Sequence, residues 1–181
     1  MNDWIVIQTN SSPATAPLGV VVINQANATQ LFSTQPFANA PVPPGYPTSW
    51  APMSVSVDPY HNAIYTADSS PGMIGALALK DNRLSTVWTV SQRTTEFLAL
   101  IGPRSRRVLI GTDIPPGQAP DQNTTDFAVW RDAQTGRELA RTRQLPAMTS
   151  GAMIQPYYFK KIFYLGLDGE VLELTAHPAP E

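Results

Sequence analysis

Short runs in which apolar and polar residues alternate, each closed by a turn signal, divide the chain from end to end. Ile5-Val6-Ile7-Gln8-Thr9-Asn10 matches Ala63-Ile64-Tyr65-Thr66-Ala67-Asp68. Val108-Leu109-Ile110-Gly111-Thr112-Asp113 and Phe163-Tyr164-Leu165-Gly166-Leu167-Asp168 are two further copies, 45 to 58 residues apart. A period-two pattern over five or six residues predicts strands, and self-similarity at this spacing predicts stacked units that cannot bury their apolar faces alone.

The second copy is the cleanest. Strands are expected at 52–57, 63–67, 73–79 and 84–90, joined by Asp58-Pro59-Tyr60-His61-Asn62, Asp68-Ser69-Ser70-Pro71-Gly72 and Lys80-Asp81-Asn82-Arg83. These junctions are rich in residues that favour turns. The third copy repeats the order at 96–101, 107–112, 126–131 and 137–145, with a long loop at 113–125. The first copy starts at its second strand (4–9, 19–24, 30–34), and the last stops at its third (152–155, 161–167, 170–175). Only 135–144 offers a helical alternative. Leu139 and Arg143 would share a helix face there with little apolar company, so an outer strand is the better reading.

Val55-Ser56-Val57-Asp58-Pro59 leading to Ile64-Tyr65-Thr66-Ala67-Asp68 resembles the YVTN, NHL and YWTD groups of β-propeller repeats. The stretch from Phe127 through Trp130-Arg131-Asp132-Ala133-Gln134-Thr135-Gly136 to Leu139 resembles the quinoprotein-type repeat. The resemblance implies an all-β, β-propeller-like single domain over 1–181. Its four blades would lie near 4–37, 51–90, 95–145 and 151–175, the middle two complete and the outer two incomplete. Such repeats occur in enzymes, receptors and scaffolds alike, so they imply architecture rather than activity. An unclosed arc would leave faces and edges open, so the expected partner is further parts of a longer chain or a second copy, unless four blades close tightly on themselves.

Composition fits a turn-rich β protein: 43% hydrophobic, only 14% charged, with 18 prolines. A net charge of −2 gives no electrostatic reason to expect nucleic acid or an anionic membrane. With no cysteine, disulfides and thiolate chemistry are excluded. No apolar run is long enough to span a bilayer as a helix, and the start lacks the pattern of a signal peptide. The expectation is a soluble chain, cytoplasmic as written and extracytoplasmic if a signal peptide was removed.

Loop length supplies the functional expectation. Connections between second and third strands share one end with the links between units, and that end collects 10–18, 68–72, 113–125 and the Pro-rich 35–51. Long loops on a rigid scaffold carry binding. Candidate binding residues there are Tyr46 and Trp50 as aromatic anchors, with Asp68, Asp113, Asp121, Asn123 and Asp126 as polar groups. The recurring Asn10, Asp68, Asp113 and Asp168 would suit calcium, which takes six to eight oxygens, but turn capping explains them better. No cofactor is therefore expected.

His61 sits in a tight turn and His177 near the end, too far apart in type of site to make a catalytic pair. Eight of the twelve basic residues fall between Arg93 and Arg143 beside six acids, which reads as a solvated edge. The expected function is a non-catalytic module binding a protein or small ligand on its long-loop face. The alternative is part of a catalytic domain of a lactonase-like hydrolase or quinoprotein-like oxidoreductase.

Overall fold

A computed structural model describes residues 3–9, 16–44, 55–94, 98–115, 126–146, 154–157, 161–166 and 169–176. Those residues form fourteen strands, with no helix among them. The first sheet holds β1 (Trp4–Thr9), β2 (Gly19–Asn24) and β3 (Leu31–Thr34). The second holds β4 (Ser56–Asp58), β5 (Ala63–Asp68), β6 (Met73–Lys80) and β7 (Arg83–Ser91). The third holds β8 (Ala99–Ile101), β9 (Val108–Asp113), β10 (Phe127–Asp132) and β11 (Glu138–Arg141). The fourth holds β12 (Ile154–Pro156), β13 (Lys161–Leu165) and β14 (Val171–Thr175). Every pairing is antiparallel between strands adjacent in sequence, so each sheet is a meander.

Three buried clusters fasten these sheets face to face in chain order. Val20 and Val22 of the first pack on Ile64, Leu77 and Leu79 of the second. Tyr65, Ala67, Ile74 and Ala76, on the other face of the second, meet Leu98 and Leu109. Ile110, Ala128 and Trp130 then meet Ile154, Ile162 and Tyr164 of the fourth. Strands β4, β8 and β12 touch in series, while β3 lies against β7. Among the described residues the first sheet has no strand equivalent to β4, and the fourth has none equivalent to β7. The stretch 135–144 contains β11, so the strand reading holds over the helical one.

The repeat alignment needs one correction. Val6 packs toward the second sheet, and Gln8 accepts a hydrogen bond there from Thr66 at 2.5 Å, whereas Ile5 and Ile7 point the other way. In the second sheet it is Tyr65 and Ala67 that face forward. Trp4 therefore corresponds to Ala63 and Thr9 to Asp68, one residue out of step with the match of Ile5 to Ala63. Side chains alternate with a period of two, so only burial reveals a slip of one.

Candidate binding face

Strand directions decide which loops share an end. The chain leaves β5 at Asp68, enters β6 at Met73, leaves β7 at Ser91, leaves β9 at Asp113 and enters β10 at Phe127. Asp68, Asp113 and Asp126 thus all lie at one end of the sheets, with Gln35–Ala40 after β3. Tyr46, Trp50, Asp121 and Asn123 lie outside the described residues, as do Asn10 and Asp168.

At this end a polar network ties the second and third sheets together. Asp68 Oδ1 accepts from the Ser70 amide at 3.0 Å, which closes the turn as the capping reading expects. The hydroxyl of Ser69 donates to the Thr94 carbonyl. Gln92 is buried: its amide nitrogen donates to the Thr112 carbonyl at 2.9 Å, and its side-chain oxygen accepts from Arg131 Nε at 2.6 Å. Thr94 and Thr112 pair hydroxyls at 3.0 Å.

Asp113 is occupied twice. It takes the Arg93 amide at 2.8 Å and Arg141 at 2.8 Å, and the Arg93 guanidinium reaches the Ser69 carbonyl at 3.0 Å. Asp113 is thus a cross-link between units rather than a cap of its own turn. Arg141 also holds Glu138, and this hydrogen bond keeps the Glu138 carboxyl below its ordinary range against the opposing effect of burial. Asp126 is buried beside the bridge it forms with Leu145.

The arginines therefore depart from the solvated-edge reading. Arg131 is buried in the interface between second and third sheets, where it also donates to the Gly136 carbonyl at 3.1 Å. Arg104, Arg106, Arg137 and Arg143 do face solvent. Sequence reasoning missed Gln92 and Arg131 because a polar residue next to an apolar strand reads as an edge position.

Beside this network, Gln35–Ala40, Met73 and Thr89 line a cleft of about 260 Å³. Phe37 plugs its floor, where a side chain at Gly75 would meet the Phe37 ring at 3.2 Å. The cleft is smaller than the ~300–1,000 Å³ of sites that enclose a drug-sized ligand. It suits one side chain of a partner, or one edge of a small molecule.

At the opposite end, Asp58 is the hub. Its fully buried carboxylate accepts from the Tyr60 amide at 3.0 Å and from Arg107 Nε at 3.3 Å, and lies 2.7 Å from His61 Nδ1. Burial raises the Asp58 pKa, but the His61 and Tyr60 hydrogen bonds and the nearby positive charge outweigh it, so the carboxyl titrates below its ordinary value. Burial, assisted by Asp58, pushes Tyr65 up to about 12. Arg104 stacks on the Tyr60 ring, 3.5 Å from its centre. The signal was present in sequence as an Asp three residues before a His across a Pro-Tyr turn.

Among the described residues no three His, Cys, Asp or Glu side chains converge as metal ligands, and no helix is long and apolar enough to cross a membrane. No protein-family model matches the chain, and no curated protein matches it. Among solved structures, the crystal structure of the computationally designed Ika4 protein is similar. The match covers 97% of this chain and 86% of that one, with a TM-score of 0.58 and 11% sequence identity. At that identity the likeness concerns the fold alone.

Proposed function

We propose that this chain is a non-catalytic, β-propeller-like module that binds a protein or a small ligand on its long-loop face. Four meanders in chain order, with β4, β8 and β12 in contact on one side, support the propeller reading. The observation that carries the binding reading is the cross-linking of the loop bases. Asp113, Arg93, Arg141, Gln92 and Ser69 fix the ends of strands from two sheets into one platform. A rigid base of this kind is what binding loops are commonly carried on, their sequence supplying the contacts.

Amide chemical-shift mapping of the labelled chain against a small-molecule fragment set and a peptide library tests this. Shifts should gather at 35–51, 68–72 and 113–126. Replacing Trp50 by Ala should weaken the best binder by about 2 kcal/mol or more, the cost of losing an aromatic anchor. Shifts confined to Tyr60–Asn62 and Asp81–Asn82, at the opposite end, would overturn the assignment. Turnover of a lactone or an oxidisable alcohol would move the chain to the catalytic class.

A further inference from the structure

Equivalent positions of the repeat have different fates. Corrected for the one-residue slip, Ile5, Ile64, Leu109 and Tyr164 occupy the same place in the four sheets. Each points away from the following sheet. Ile64, Leu109 and Tyr164 are all at most 1% exposed, because the preceding sheet covers them. Ile5 is 48% exposed.

Its neighbours share this. Ile5 pairs with Ile23, which pairs with Leu31, itself 49% exposed; Ile7 pairs with Val21 on the same face. That is a sheet face with apolar residues on all three strands. On the fourth sheet the forward face carries Phe163, Leu165 and Val171, the last 64% exposed, beside the Lys161–Glu173 ion pair and Thr175. The counterparts of Leu165 and Val171 are Tyr65 and Ala76 in the second sheet and Ile110 and Trp130 in the third, and all four are buried.

Among the described residues no buried cluster joins the first and fourth sheets. Both end strands nevertheless read as near-continuous apolar runs, Ile5-Val6-Ile7 and Ile162-Phe163-Tyr164-Leu165, the pattern of strands buried on both faces.

From this we infer that a second copy of the chain covers both faces. The first sheet of one copy would stack on the fourth sheet of the other, twice, to close a ring of eight sheets. The inference rests on the propeller-like reading of the stack and is independent of what the loop face binds. What commits the occupant is continuity of the interface. In each of the three internal contacts a rearward face meets the forward face of the preceding repeat. The fourth sheet carries the one forward face left uncovered among the described residues, and a second copy presents that face to Ile5 while accepting the reverse contact. A head-to-tail contact of this type closes when its rotation completes a circle, and eight units lie within the usual range of such rings.

Complementary variants test it by sedimentation at micromolar concentration. The unaltered chain should run at twice the mass of one chain. Ile7→Lys, on the first sheet, and Val171→Asp, on the fourth, should each run as single chains with unchanged far-ultraviolet circular dichroism. Both positions are open, so neither change should unfold the sheet. Mixed in equal amounts they should recover the double mass, because the mixed pair has one interface of two unaltered faces. Association of only one variant, without recovery on mixing, would mean that like faces pair, and would overturn the head-to-tail ring. A folded, unaltered chain that stays single would show that the faces are covered within one chain. A ladder of larger masses would show a stack that does not close.

Discussion

The middle two sheets and the end two are built from nearly the same repeat, yet they live in different environments. In the middle, β5 is buried at five of its six positions and β9 and β10 at four each. At the ends, β1 and β14 alternate between half-buried and exposed. The difference is one of neighbours rather than of strand chemistry: Ile5 and Ile64 are the same residue at the same repeat position. In a stack of this kind, stability belongs to interfaces between units, and a unit at the end owns only one.

Substituting that shared isoleucine gives the largest expected contrast. Ile64→Ala should cost about 2–5 kcal/mol in chemical denaturation, because it removes a buried side chain and leaves a cavity. Ile5→Ala, measured on the dissociated chain, should stay within about 0.5 kcal/mol, as surface changes do. Equal costs would erase the distinction between middle and end.

Two glycines sharpen the comparison. Gly136 (φ +74°) and Gly169 (φ +85°) both adopt a backbone that side chains resist. A methyl at Gly136 would meet the Trp88 ring at 2.7 Å, across the second–third interface, while at Gly169 it would meet nothing within 4 Å. Gly136→Ala should therefore cost about 1–3 kcal/mol more than Gly169→Ala, the penalty of overpacking a filled site.

Charges follow the same division. Arg131→Ala strands the Gln92 side chain and the Gly136 carbonyl in a buried interface, with an expected loss of about 1–3 kcal/mol. Lys161→Ala, on the open fourth sheet, breaks an exposed pair with Glu173 at 2.6 Å, and should lose less than about 1 kcal/mol. Thermal denaturation of the two variants at low concentration compares them directly.

The smallest effect is pH-dependent and also sits between the middle sheets, where Asp58 of β4 meets Arg107 at the start of β9. The Asp58 carboxyl is depressed in the fold. Its contribution is therefore full above the unfolded value, near ~3.9, and is lost as pH falls through the lower folded value. Denaturation curves from neutral pH to about pH 3 should show this loss in the unaltered chain, reduced in Asp58→Asn. A variant with the same acid sensitivity would place the loss elsewhere.

How much of this was legible in the sequence depended on whether alternation alone carried the information. The limits of β1 and β2 match the alternating runs 4–9 and 19–24, because turn residues close both. Strand β4 begins at Ser56 and β8 at Ala99, so the apolar Val55 and Leu98 fall just outside strands that alternation alone had included, while 52–54 and 96–97 lie outside the described residues. The slip at Ile5 was invisible because Ile5, Val6 and Ile7 offer no polar residue to mark a face.

Of the candidate site, Asp68 behaves as its turn chemistry implies. The roles of Asp113, Gln92 and Arg131 depend on residues about 20 to 40 positions away, which no local pattern encodes.

Native-state hydrogen exchange at several protein concentrations tests the central claim most directly, that like repeats differ only in what covers them. The account predicts slow, concentration-independent exchange in β5, β6, β9 and β10. It predicts faster exchange in β1 and β14, slowing as concentration rises and a second copy covers their faces. Protection of β1 and β14 equal to that of β9 at every concentration would contradict it.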